Sequence, residues 1–463
     1  MFHKKIINLT VLISLMFGAA FFSGNALAQS KKDLRRAERL VKEGNDLFNR
    51  RDYRRAINKY AEAISIVPSM TVARYWKGYA HYYLKEYDLA LAELDLALNQ
   101  GYTPADVYKV RWYVNYQKGN YDAALSDAQK ALETSPTDVN LLAALGDIYR
   151  TKGDYSNSLA AYQRVAAINP QNGDISYYIA ESHYNLGNTT EQQIAAADAI
   201  KKNTRFSGEA WFLMGDALQK SRQIEQAIDA YERSIIGNPR IINAYNNLAE
   251  LYRSKGMYHK AVETMQKGVK EFPDDGTFYS NMSWYYSLAE EHPKAIAAGQ
   301  KAIELAPDQY MGYTNLCRAY NDMKLYQQAI KTCNDALRLQ PGDGETNFYL
   351  GWAYDKLKQT DTARSYFKKA VAGLTEFTRQ NPDYSDGFYL LGNAHFAAGN
   401  DAGAIEAYRK TIELSPRFAR ARYNLAVIYF INGKKDLAEE QYNALKEIDT
   451  KIAEDLSKVM NKQ

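Results

Sequence analysis

Three asparagines, Asn247, Asn281 and Asn315, stand 34 residues apart, each directly before the Leu or Met of a recurring apolar position. A carboxamide carries a donor pair and an acceptor, so it matches both polar groups of a peptide bond. A row of three would hold an extended chain by its backbone, with each bond adding a net ~0.5–1.5 kcal/mol. Asparagine is also an ordinary, neutral occupant of an exposed helix face, so both readings stand. Glu250, Trp284 and Arg318 recur at the same spacing beside the row. On either side of this polar zone come aromatic ones, Tyr75, Tyr79, Tyr82, Tyr113 and Tyr116 before it and Tyr349, Trp352 and Tyr389 after it. Tyrosine and tryptophan give rigid contact area with a polar tip, suited to side chains of a polypeptide or to sugar rings. The two cysteines, Cys317 and Cys333, lie 16 positions apart. They form either a disulfide clip or a pair of small buried apolar groups.

Chemistry of bond making has no comparable foothold. There is no Gly-rich phosphate loop followed by Lys-Ser or Lys-Thr, no CxxC, no HExxH and no GxSxG. The six histidines are isolated in sequence, and His183 and His395 occupy an aromatic position of the pattern, where packing explains them better than metal binding. No catalytic residue, metal or cofactor is expected, and the chain is not expected to be an enzyme.

The elements that must position these residues are marked by proline. Pro136, Pro170, Pro239, Pro273, Pro307 and Pro341 fall on a stride of about 34 residues, with a proline-less beat near Thr204. Pro68 lies two strides earlier, and Pro382 and Pro416 continue the beat after a seven-residue insertion. Twelve units result, beginning at Ala37, Thr71, Ala105, Val139, Gly173, Gly208, Ile242, Gly276, Tyr310, Gly344, Ser385 and Ala419. The eighth residue is small in eleven of them, Trp112 being the exception, and the twentieth is alanine in all but two, which carry Ser158 and Gln192. Small residues at these two places predict two helices whose backbones approach closely. Within a unit the apolar spacing gives helix, short turn, helix, then proline: Leu248, Leu251 and Tyr252 share a face before Gly256, and Ala261, Met265 and Val269 share one before Pro273. In the tenth unit the second helix is expected to run about two turns further, carrying Leu374 and Phe377 beyond the usual edge.

This pattern resembles the tetratricopeptide repeat, and a segment such as AYNNLAELYRSKGMYHKAVETMQKGVKEFP matches it over its full length. The resemblance covers about 414 of the 463 residues and implies an all-α fold, a right-handed α-solenoid superhelix of about twelve helix pairs. It also implies that positions two, five, six, nine and twelve of each first helix line a concave groove, which is where the asparagine row and the aromatic zones fall. The row is similar to the asparagine ladder in the superhelix of O-linked N-acetylglucosamine transferases, carried here on Asn247, Asn281, Asn315 and, out of sequence, Asn424. The catalytic domain of those enzymes has no counterpart.

The ends differ from the array. Lys4 and Lys5 precede an apolar run from Ile6 to Phe22 and the small-residue site Ala26-Leu27-Ala28, the layout of a signal peptide spanning 1–28. Residues 29–36 form a lead-in, 37–450 the array, and 451–463 a helix that caps its last apolar edge. After cleavage no integral membrane segment is expected, and the product is exported, periplasmic or secreted. A net charge of +4 excludes a general basic field for nucleic acid. The expected function is a scaffold that binds a protein or extended peptide in its groove, with glycan binding by the aromatic zones as the rival.

Overall fold

The computed structural model describes residues 31–461, so the expected signal peptide, residues 1–28, lies outside the described residues. Among the described residues every regular element is an α-helix. Contacts divide the chain into two compact units at Pro170, where the sequence pattern had continued without a boundary. The first contains α1 (Lys31–Asn49), α2 (Tyr53–Ile66), α3 (Thr71–Tyr83), α4 (Tyr87–Asn99), α5 (Pro104–Gln117), α6 (Tyr121–Thr134), α7 (Val139–Thr151) and α8 (Tyr155–Ile168). The second begins with α9 (Gly173–Leu186), α10 (Thr189–Lys201), α11 (Ser207–Lys220), α12 (Ile224–Gly237), α13 (Ile242–Ser254), α14 (Tyr258–Glu271), α15 (Gly276–Leu288) and α16 (His292–Leu305). It continues with α17 (Tyr310–Asp322), α18 (Tyr326–Leu339), α19 (Gly344–Lys356), α20 (Thr360–Gln380), α21 (Ser385–Ala397), α22 (Asp401–Leu414), α23 (Ala419–Ile431), α24 (Lys435–Lys446) and α25 (Thr450–Met460). Each odd-numbered helix from α1 to α23 pairs with the helix that follows it, and within each unit neighbouring pairs stack. Residues 31–36 are the first turns of α1, and α20 carries the expected extension, with Leu374 buried.

The turn inside each pair has one recurring conformation. The fifteenth residue of all twelve repeats is left-handed, with φ between 59° and 82°. Glycine fills six of these places and Arg51, Lys85, Arg222, Glu290, Lys324 and Lys358 the rest. Its own amide and the next close the helix end: Gly256 N–H donates to the Arg253 carbonyl at 2.9 Å and Met257 N–H to that of Tyr252 at 2.8 Å. Where the proline between repeats is missing, the same device replaces it. Gly101 and Asn203 are left-handed, and Tyr102 and Thr204 N–H reach back to the Ala97 and Ala199 carbonyls.

Packing within a pair turns on positions eight and twenty-four. A Cβ on Gly44 would lie 2.5 Å from the Tyr60 ring, on Gly146 2.5 Å from Tyr162, on Gly215 2.8 Å from Tyr231 and on Gly392 2.6 Å from Tyr408. The missing side chain on one helix is the space that the ring of the other fills, and all four tyrosines are fully buried. Each ring still delivers its hydroxyl to a polar group, as with Tyr60 to Asn45 at 2.8 Å and Tyr162 to Asp147 at 2.7 Å. The last pair is covered by α25, whose Ala453 and Leu456 are buried in a cluster with Ala426 and Leu445.

Two glycine substitutions separate the two devices. Gly256→Ala meets nothing within 4 Å and strains only the backbone, so it should cost about 1–2 kcal/mol. Gly215→Ala must displace the Tyr231 ring and should cost about as much or more, ~1–3 kcal/mol. Urea denaturation measures both; the decisive pairing is with Tyr231→Leu, which should relieve Gly215→Ala and leave Gly256→Ala unchanged.

Candidate functional site

In the second unit the first helices of successive pairs present position nine or twelve toward one another across the inner face. Arg253, at the end of α13, donates from Nη1 and Nη2 to the two carboxylate oxygens of Asp386 on α21, at 3.1 and 2.8 Å, although the two residues are four repeats apart. Its Nε also donates to Glu250 at 2.8 Å. Burial opposes the Arg253 charge, but the two carboxylates outweigh it and hold the guanidinium firmly protonated. Trp284 on α15 lies between Arg253 and Arg318, whose guanidinium carbons stand 4.9 and 5.4 Å from its ring. Arg318 in turn donates from Nε to the Tyr349 hydroxyl at 2.5 Å, lies over that ring and pairs with Glu345. Glu345 keeps a third of its side chain in contact with solvent, yet protein surrounds it and desolvation pushes its carboxyl up, with Arg318 pulling the other way. The inner face is therefore a lattice of alternating charges and rings, rigid because nearly every group is spoken for.

The asparagine row sits inside this lattice, and each of its members already donates to the preceding repeat. Asn247 Nδ2 donates to the Tyr231 hydroxyl at 3.0 Å, and Asn281 Nδ2 to Asn246 at 3.3 Å. Asn315, only 5% exposed, donates to the Ser280 carbonyl at 3.1 Å and to its hydroxyl at 3.0 Å. Asn424 Nδ2 meets the Tyr408 hydroxyl at 3.2 Å, as Asn247 meets that of Tyr231. In these four repeats position six is thus a clip that ties α13, α15, α17 and α23 to the pair before each, and the row is not a line of free carboxamides. Glu345 and Asp386 were not singled out from sequence. Both occupy position two, which belongs to the inner-face set, and two acids there opposite arginines at nine and twelve were the available signal.

The aromatic zones are likewise packed on themselves. Tyr75 stacks on Tyr102 at 4.7 Å, and contacts run on through Trp76, Tyr79 and Tyr82 to Tyr113, whose ring meets that of Tyr82 edge-on at 5.4 Å. Burial pushes the Tyr75 and Tyr79 phenols well above the usual range. Tyr116 lies beside the Thr151 hydroxyl at 3.3 Å. In the second unit Tyr389 contacts Tyr408 and Phe418, whereas Trp352 is 40% exposed with the Lys356 ammonium 4.1 Å from its ring centroid.

Cys317 and Cys333 are bonded to each other, with Cα atoms 5.4 Å apart. They occupy positions eight and twenty-four of their repeat, the places that hold Gly146 and Tyr162 in another. His183 and His395 each accept or share a hydrogen bond at Nδ1 with the asparagine five residues on, and burial lowers both from the ordinary imidazole value, favouring the neutral ring. No cluster of metal-ligating side chains occurs among the described residues.

A family model described as Tetratricopeptide repeat matches residues 41–106, 212–276, 369–417 and 389–451; two more of that description match 345–373 and 312–343, and one described as TPR repeat matches 146–192. Together they span more than half of the chain. Among curated proteins, the chain is 39% identical over 64 residues to the small glutamine-rich tetratricopeptide repeat-containing protein 2 of Saccharomyces cerevisiae, covering 14% of this chain and 18% of that one. It is 30% identical over 91 residues to the photosystem I assembly protein Ycf3 of Rippkaea orientalis, covering 19% and 53%. The chain therefore spans about a fifth and about half of the length of these two relatives. Among solved structures, a tetratricopeptide repeat protein from Parabacteroides merdae aligns with a TM-score of 0.39 at 17% identity, covering 54% of this chain and 98% of that one. The Cut9-Hcn1 hetero-tetramer of the APC/C aligns with a TM-score of 0.37 at 14% identity, covering 92% and 97%.

Two sets of variants test this reading of the inner face. Cys317→Ser with Cys333→Ser should cost about 3 kcal/mol, and Cys317→Gly with Cys333→Tyr should recover most of it by rebuilding the glycine–ring contact; equal losses in the two would refute the equivalence. Asp386→Asn should cost about 1–3 kcal/mol, and Arg253→Gln more, because it leaves Glu250 and Asp386 facing each other without a cation. Chemical denaturation at low and high salt measures both.

Proposed function

We propose, from the premise that this chain belongs to the tetratricopeptide repeat family, that it is an exported, non-catalytic scaffold whose inner face holds a protein or an extended peptide. Proteins built of this repeat bind protein partners. The observation that carries the reading here is what the inner face leaves open. Most of its polar groups are paired and most of its rings are packed, yet Tyr113, Trp352 and Phe396, each at position nine or twelve, remain 37%, 40% and 42% exposed. Large aromatic side chains held rigid beside a satisfied polar lattice are the usual anchors of a protein interface. Trp352 and Phe396 belong to the second unit and Tyr113 to the first, so each unit brings an anchor of its own.

In this reading the asparagines take a second role. Asn247 and Asn281 are part-buried and donate within the fold, which leaves their carbonyl oxygens to accept from backbone N–H groups of a partner. Glu250 and Arg318 are spent on holding the lattice, and their contribution is to shape rather than to contact. Export rests on the leader-like composition of residues 1–28, and a periplasmic or secreted location follows from it.

Panning a displayed random-peptide library against immobilised residues 29–463 tests the assignment. Peptides should enrich, and Trp352→Ala with Phe396→Ala should weaken those that bind the second unit at least about tenfold, the size expected of interface anchors. No enrichment, or retention of envelope glycan in a parallel array and of no peptide, would overturn it.

A further inference from the structure

The outer end of α1 carries a charge pattern that neither the fold nor the groove requires. Residues 31–42 hold six cations, Lys31, Lys32, Arg35, Arg36, Arg39 and Lys42, against Asp33 and Glu38, a net +4. The whole chain is also +4, so the other 451 residues sum to zero. At 100° per residue the six fall within an arc of about 140°, opposite the face on which Ala37, Leu40, Val41 and Gly44 are buried against α2 and α3. All six are exposed, and no ion pair occupies them among the described residues. Glu43, which enters the arc one turn later, is drawn to Lys59 at 3.1 Å.

This arrangement works against the helix that bears it. Lys31, Arg35 and Arg39 succeed one another at four-residue spacing, as do Lys32 and Arg36, so like charges face each other along the surface. A solenoid end needs a polar outer face for solubility, but not one of a single sign. The opposite end shows the contrast: on α25, Lys451 and Lys458 balance Glu454 and Asp455, and Lys458 pairs with Asp455 at 2.8 Å.

We propose that the exposed face of α1 docks on an anionic phospholipid surface. Clustered cations gain from such a surface in proportion to their number and lose the gain within a Debye length. The sequence supplies the proximity. Only the eight residues from 23 to 30 separate the apolar run that ends at Phe22 from Lys31. That segment spans at most about 30 Å, so while residues 6–22 engage a bilayer during export, α1 begins within reach of its headgroups. The buried face of α1 stays on α2 and α3, which makes this a surface attachment by charge rather than insertion.

Vesicle co-sedimentation of residues 29–463, which include every described residue, tests it. The protein should sediment with phosphatidylcholine vesicles containing about 30% phosphatidylglycerol and not with phosphatidylcholine alone, and raising salt from about 50 to 200 mM should release it. Replacing Lys31, Lys32, Arg35, Arg36 and Arg39 by Gln should reduce binding at least about tenfold, with circular dichroism confirming an unchanged fold, whereas Lys451→Gln with Lys458→Gln should leave binding intact. Equal sedimentation with both vesicle types, or undiminished binding by the five-fold variant, overturns the proposal. So does binding of an acidic polymer such as polyglutamate in the absence of vesicle binding, which would assign the face to a different class of partner.

Discussion

The fold depends on the close approach of the two helices in each pair, and in four of the twelve repeats that approach is made by a vacancy and the tyrosine ring that fills it. Two helices joined by a three-residue turn must lie close, and a side chain on both at the crossing would hold them apart. Glycine at position eight removes one, and tyrosine at position twenty-four restores the lost volume from the other side. The ring buries fully while its hydroxyl emerges on the inner face. That one contact thus packs the pair and also delivers a polar group to the surface where pairs meet. The disulfide between Cys317 and Cys333 occupies the same two positions, so a covalent bond stands where shape complementarity serves elsewhere.

The hydroxyls then explain the asparagines. Asn247 and Asn424 donate to the tyrosine of the repeat before them, and Asn315 donates to the preceding first helix directly. A stack of helix pairs has no sheet ladder to set its register, and apolar packing alone tolerates sliding. A carboxamide that must find its acceptor on the previous pair fixes the offset between them. Spacing by one repeat is what such a clip requires, just as it is what a peptide-binding row would require.

Most of the fold was legible for a simple reason: twelve copies of one pattern average out the noise of any single one. The stride of the prolines, the small residues at eight and twenty and the helix ends near Gly256 all follow from local chemistry repeated. The left-handed turn was legible only where glycine marks it, and Lys324 or Glu290 conceals the same geometry. The site was harder. Periodicity places Asn281 and Arg318 on the inner face but says nothing of what meets them there. Arg253 and Asp386 are 133 residues apart, and their meeting depends on how far the second unit curls over four repeats, a sum of small rotations with no signature at any one residue. Whole-chain charge concealed the end of α1 for the converse reason, since an average over 463 residues dilutes a cluster of twelve.

A stack of helix pairs behaves as a spring, each joint yielding a little and the extensions adding in series. The bond between Arg253 and Asp386 directly ties together repeats four apart in that spring. Load applied to the ends of the second unit therefore passes through a pair of hydrogen bonds as well as through the intervening joints, and the coil stays stiff until those bonds part. Past that point it lengthens at low force, then recloses when the guanidinium finds its carboxylate again. Because the pair is largely withdrawn from solvent, salt screens it little, so the stiffness of the coil is a property of the molecule more than of its surroundings.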